Sequence, residues 1–299
     1  MGHIRCQASG SIAKGLNLRI PQLSEHDGSE DLYRDIMSQW INEAITLLRE
    51  NPLQLPQVEV KLLELGRFEL VYPANRKPGV ALGAPHGSFD EYTAELVKRV
   101  SCRTGIAAVI AKGFTPSQTG GARINVNRPT EKIPFSEMRE FHSQRAEDIY
   151  REFVDLVLQA SSYDLRLYID VHQYGRGSEI QVATVGISPR EARVIKMLYR
   201  TIRDRLLAEA SLVPSVELVI EPLEPIEIGA WSAKADGILS LAKKSIHFEI
   251  PSRLAFATTE ARAAYTRILA AVLTEIAPFL IPEMDIKSRV ARFCGEKGN

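Results

Sequence analysis

The sequence predicts a three-layer α/β/α fold built on a mixed, mostly parallel sheet. Apolar, β-branched runs alternate along the chain with amphipathic stretches at the helical period. The runs are apolar on both faces, as strands covered by helices on two sides must be. With 299 residues, 45% of them hydrophobic, the chain can bury one large core.

Along the chain, residues 1–27 show little periodicity. Residues 29–50 place Leu32, Ile36, Trp40, Ile41, Ile45 and Leu48 near one stripe behind an N-capping Ser29, which predicts a helix. Residues 58–65 and 67–73, parted by Gly66, predict a hairpin. Residues 1–75 are therefore expected as an N-terminal extension of helix and β-hairpin, and residues 76–299 as the main domain. Within that domain, buried strands are expected at 79–85, 106–111, 165–172, 180–186, 216–221 and 245–250. Helices are expected at 90–103, 136–161, 188–209 and 258–280, the third opened by Ser188 with Pro189 at its first position. The stretch 114–134, rich in Gly, Pro, Thr and Asn, predicts a loop, and loops of that length usually carry function.

Composition excludes several roles. Lys plus Arg number 37 and Asp plus Glu 37, so no net field draws the chain to nucleic acid. The start has no apolar core of a signal peptide and no run of 18 apolar residues occurs, so no membrane span is expected. Cys6, Cys102 and Cys294 are scattered and form no CxxC pair, which fits a reducing, cytoplasmic setting. No GxSxG elbow, P-loop or GxGxxG after a strand is present. Oligomeric state is not encoded in any of these signals.

The chemistry gathers at strand ends, where sites form in such sheets. Strand 79–85 leads into His86, strand 165–172 ends in His172, and strand 245–250 carries Glu249. A catalytic zinc site takes three protein ligands and leaves a fourth position open. His86, His172 and either Glu91 or Asp90 would supply them, leaving Glu249 to handle the proton of a nucleophilic water. Asp170 shares a strand face with His172 and could steady it; His247 shares one with Glu249 and reads as packing or support. In the loop, Arg123 and Arg128 suit a forked grip on a carboxylate, with Asn125 and Asn127 adding amide hydrogen bonds. Arg176, between Gly175 and Gly177, could also reach the substrate.

Three pieces in this order resemble the zinc carboxypeptidase superfamily. VNRP at 126–129 is similar to its Asn-Arg substrate clamp, YIDVHQYG at 168–175 to its strand ending in Asp-x-His, and IHFEIP at 246–251 to the strand bearing its catalytic glutamate. PHGSFDE at 85–91 precedes all three, as in the family. The main carboxypeptidases space their first pair as His-x-x-Glu, which here would fall on Phe89. The spacing from His86 to Glu91 is closer to the N-formylglutamate amidohydrolase, succinylglutamate desuccinylase–aspartoacylase and polyglutamate hydrolase branches. The resemblance covers about residues 79–280 and leaves residues 1–75 outside it. It implies a Zn2+-dependent hydrolase that cleaves an amide bond next to a free carboxylate in a small N-acyl amino acid or short peptide. It implies His86, Glu91 and His172 as ligands, with Asp90 the alternative to Glu91. It further implies Glu249 as general base and acid, Arg123 at the oxyanion, and Asn127 and Arg128 on the substrate carboxylate. A metallocarboxypeptidase acting on short peptides and a non-catalytic binding protein of the same fold remain the alternatives.

Overall fold

The computed structural model describes residues 2–4, 60–65, 67–74, 76–133, 140–210 and 212–281. The helix expected over 29–50 lies outside them. The described residues form a central sheet of nine strands. In spatial order these are β1 (Gly2–Ile4), β2 (Val60–Leu65), β3 (Phe68–Pro73), β5 (Ala108–Ala111), β4 (Val80–Ala84), β9 (Leu167–Tyr174), β12 (Lys244–Pro251), β10 (Glu179–Val185) and β11 (Glu217–Ile220). Strands β5, β4, β9 and β12 run parallel at the centre. The hairpin β2–β3 and strand β10 join them antiparallel. The 60–73 hairpin, expected as part of an extension, is instead built into this sheet, because β3 pairs with β5. A second, three-stranded sheet holds β6 (Arg123–Ile124), β7 (Thr130–Lys132) and β8 (Phe141–His142).

Two apolar layers cover the main sheet. On one face, Leu70, Ala81, Val109 and Tyr168 pack with Phe153 and Val157 of α3 (Gln144–Ala160). On the other face, the alternate residues Leu82 and Ile169 are fully buried. There α7 (Thr259–Leu280) packs with α1 (Thr93–Thr104) and α4 (Pro189–Ala208). Helix α7 is long and apolar enough to cross a membrane by length and composition, but its Ile268, Leu269, Leu273 and Ile276 are buried in this core. Each such side chain contributes about 1.5–3 kcal/mol by leaving water.

Helix starts follow local chemistry. Ser188 caps α4 in a reciprocal box with Glu191, with Pro189 in the first turn. Ser143 and Thr258 cap α3 and α7 by accepting backbone N–H groups. Two expected boundaries move. Helix α1 begins at Thr93 rather than at 90, because residues 85–92 form turns ending in a left-handed Tyr92 (φ 67°). Helix α3 begins at Gln144 rather than at 136, because Phe141 and His142 pair with β7. The 114–134 loop also contains β6, β7 and a short helix α2 (Pro116–Thr119). Between β11 and β12, a segment without sequence periodicity forms α5 (Trp231–Asp236) and a 3₁₀ turn at Ile238–Ser240.

Candidate metal centre

Register brings the chemistry together. In the parallel pair β9–β12, Asp170 lies opposite His247 and His172 opposite Glu249. All four therefore project from one face, two carboxylates interleaved with two imidazoles. Strand β4 runs on the other side of β9, and its continuation turns His86 and Asp90 toward the same sheet edge.

Three ligand-type atoms converge there. Asp90 Oδ2 lies 3.0 Å from His172 Nδ1 and 3.4 Å from His86 Nδ1. The other ring nitrogens are already held: His86 Nε2–H donates to the carbonyl of Asn125 at 3.0 Å, and His172 Nε2–H to Asp170 Oδ2 at 3.0 Å. A carbonyl and a carboxylate only accept, so each Nε2 carries a proton and each Nδ1 faces the cluster. His86, Asp90 and His172 thus form a group with metal-ligating geometry. Asp170, His172 and His247 form a second such group directly beneath.

Glu91 does not join them. Its side chain is 64% exposed and accepts from Arg262 Nη2 at 2.9 Å. Asp90, one residue earlier, is buried and turned inward by the bond from its N–H to the His86 carbonyl at 2.7 Å. Of the two carboxylates left open by sequence, the structure brings only Asp90 to the histidines.

Electrostatics match this arrangement. Burial alone would raise Asp90 and Asp170, but the adjacent histidines hold both carboxyls well below the usual carboxylate range. Burial would push His172 down, yet Asp170 and Asp90 on its two nitrogens push it well above the usual imidazole range. Two flanking carboxylates call for a cation between them, whether proton or metal. His86, by contrast, is pushed down by burial and so favours the neutral form that ligates. His247 bridges deeper, with Nδ1 3.2 Å from Asp170 Oδ2 and Nε2 3.2 Å from Glu249 Oε1. Tyr168 Oη donates to the remaining oxygen of Asp170 at 3.3 Å. The close approach is possible because Gly83 lies under the Tyr168 ring; a Cβ there would stand 1.9 Å from Oη.

A cavity of about 310 Å³ opens above the cluster. His86, Asp90, His172, His247 and Glu249 line it, with Arg123, Asn127 and Arg128 of the 114–134 loop, Phe89 beside Arg123, and Ile228 and Trp231 from the segment between β11 and β12. Arg123 donates to Asn125 Oδ1 at 3.0 Å, lies 4.7 Å from the Phe89 ring centre, and keeps an Nε–H with no hydrogen-bond partner. Arg128 Nη1 donates to Asn127 Oδ1 at 2.8 Å. Asn125 is fully buried and away from the cavity wall; it holds Arg123, Thr130 and His86 in place. Arg176 is exposed and outside the wall.

The turn that aims this wall is strained. Val126 sits in the left-handed region (φ 50°), rare for a β-branched residue, while the Asn127 N–H bonds the Asn125 carbonyl across it. The Val126 side chain is fully buried in the core, which offsets the strain. Sequence reasoning missed Phe89, Ile228 and Trp231 as cavity residues. The one available signal was a tryptophan in a segment with neither helical nor strand period.

No family model matches this chain, and no curated protein does. Among solved structures, it is similar to a bacteriophage poly-gamma-glutamate hydrolase (13% identity, TM-score 0.38, covering 78% of this chain and 94% of that one). It is also similar to murine aminoacylase 3 (12%, TM-score 0.40, 69% and 66%) and to a metallo-carboxypeptidase from Burkholderia cenocepacia (15%, TM-score 0.41, 84% and 70%). Likeness at this level does not transfer an activity.

Proposed function

We propose that this protein is a zinc-dependent hydrolase that cleaves an amide bond next to a free carboxylate, with His86, Asp90 and His172 as ligands. The observation that carries the reading is the convergence of two Nδ1 atoms on Asp90 Oδ2, each imidazole being locked by an acceptor on its far nitrogen. Two imidazoles, with His172 giving up its second proton when a metal binds, and one carboxylate are a donor set suited to zinc rather than to calcium or magnesium, which prefer oxygen alone. When bound, zinc supplies a Lewis acid that polarises a carbonyl and makes water acidic near neutral pH.

The chain's own residues do the rest. Glu249 borders the cavity with its carboxylate 3.2 Å from His247 Nε2, so its second oxygen is available to take a proton from the attacking water. The same carboxyl then hands that proton to the departing amine. Arg123 borders the cavity, and its guanidinium would serve the oxyanion and a substrate carboxylate. Asn127 and Arg128 flank it. Phe89 and Trp231, exposed at the cavity, would lie against a bound substrate.

Metal analysis of protein purified without chelator tests the reading. One zinc per chain is expected, lost in His86→Ala. Glu249→Gln should retain zinc and lose turnover against a panel of formyl-, acetyl- and succinyl-amino acids and dipeptides. Absence of metal with unchanged stability in His86→Ala and His172→Ala would leave a non-catalytic binding protein. Preference for dipeptides would favour the carboxypeptidase alternative.

A further inference from the structure

The cavity wall carries two guanidinium groups, but they are not equivalent. Arg128 is already engaged by a carboxylate of this chain: Nε donates to Glu140 Oε2 at 2.8 Å and Nη2 to Glu140 Oε1, a two-pronged pairing. Thr130 Oγ1 donates to the same Glu140 Oε2 at 3.0 Å, and Asn127 takes a third Arg128 hydrogen at 2.8 Å. Burial would raise Glu140, but Arg128 outweighs it and keeps the carboxyl low, hence ionised at neutral pH. Arg123 has no such partner among the described residues. Its hydrogen bond goes to the neutral amide of Asn125, and its Nε–H is unpartnered. Lys234, 5.1 Å from the Trp231 ring centre, is paired with Glu221. The cavity also presents Phe89 at 51% exposure beside Arg123, Trp231 at 73%, and Ile228. Large aromatic side chains left exposed at a cavity mouth are contact surface for a ligand.

We infer that Glu140 sets the charge of the substrate: by occupying Arg128 it leaves Arg123, among the described residues that line the cavity, as the guanidinium with no carboxylate hydrogen-bonded to it. The cavity therefore selects amides bearing one carboxylate and an uncharged, apolar remainder against Phe89 and Trp231. N-acyl derivatives of apolar amino acids fit; those of aspartate and glutamate bring a second carboxylate that meets no further unpaired guanidinium among the described lining residues, and its desolvation goes uncompensated. This inference rests on the hydrolase reading for the identity of the ligand as an amide, but the charge rule concerns binding alone.

The test is isothermal titration calorimetry on zinc-loaded Glu249→Gln protein, with N-acetyl-phenylalanine, N-acetyl-alanine and N-acetyl-glutamate as probes. N-acetyl-phenylalanine should bind at least about tenfold more tightly than N-acetyl-glutamate, since an unmet buried carboxylate costs that much or more. Adding Glu140→Gln frees Arg128 and should improve N-acetyl-glutamate by about tenfold while moving N-acetyl-phenylalanine by less than about threefold. Trp231→Ala, at an exposed position that the fold does not need, should erase most of the preference for phenylalanine over alanine. Tighter binding of N-acetyl-glutamate to the unmodified wall would overturn the inference, as would an unchanged selectivity ratio in Glu140→Gln. Should Glu140→Gln fail to fold, an unchanged phenylalanine-to-alanine ratio in Trp231→Ala overturns it by itself. Failure of the hydrolase reading is separate: it appears as absent turnover in the unmodified protein, whatever the binding order.

Discussion

Asp170→Asn probes the support beneath the proposed metal centre. Asp170 is fully buried and receives three donors: His172 Nε2 and His247 Nδ1 on Oδ2, and Tyr168 Oη on Oδ1. Asparagine has the same shape. Its oxygen can replace Oδ2 under both imidazoles, and its NH2 can then donate to Tyr168 Oη, which turns from donor to acceptor. The hydrogen-bond count survives, and what disappears is the negative charge that makes His172 a better ligand. Loss of such a carboxylate behind a ligating histidine costs about 10–100-fold in metal affinity, or about 1.4–2.8 kcal/mol. The assay is competition for zinc against a chromogenic chelator at fixed pH, with urea unfolding run in parallel to confirm that the fold is intact. Zinc affinity within twofold of the parent, in a folded variant, would refute the claim that Asp170 acts through His172.

Three further outcomes are expected. Asp90→Asn should weaken zinc binding by more than about 100-fold, whereas Glu91→Gln, at an exposed carboxylate paired with Arg262, should leave it within twofold; equal effects in the same competition assay would return the ligand question to the start. Gly83→Ala puts a Cβ 1.9 Å from a fully buried Tyr168 and should destabilise by about 1–3 kcal/mol or more in urea, with partial rescue by Tyr168→Leu; an unchanged midpoint would mean the ring has room to move. Glu275, near the end of α7, is pushed up to about 7 by burial, with Lys77 opposing. Its folded value exceeds its unfolded one near 4.5, so its contribution is complete below that pH and is lost as pH rises through 7. Glu275→Gln should therefore raise Tm at pH 8 and not at pH 4, and a Tm gain of equal size at both would disprove this origin.

Much of the site was legible because strands announce themselves. β-Branched runs located β4, β9 and β12, and a polar residue at the end of such a run has little reason to be there unless it works. That logic singled out His86, His172 and Glu249, which the structure brings to one cavity. It could not separate Asp90 from Glu91, since adjacent residues in a non-helical turn point in directions set by tertiary contacts. The left-handed Tyr92 and the Asp90-to-His86 backbone bond set which of the two side chains faces the histidines, and neither has a sequence signature. Helical periodicity likewise ran through Phe141 and His142, where pairing with β7 won over local preference. The same short strand sits beside Glu140, so the ion pair that distinguishes Arg128 from Arg123 was hidden with it. Trp231 was missed because α5 is too short to show a period.

The glycine at 237 joins the two cavity walls. The Ile238 N–H bonds the Asn127 carbonyl at 2.9 Å, and a Cβ on Gly237 would lie 2.4 Å from that same oxygen. The polar wall and the tryptophan-bearing wall are thus one mechanical piece, fastened backbone to backbone at a spot with no room for a side chain. Loop exchange meant to widen the range of accepted ligands would have to carry residues 228–240 and 125–128 together. Grafting either alone would break the Ile238-to-Asn127 backbone bond and disturb the placement of Asn127 and Arg128, the residues proposed to flank a substrate carboxylate.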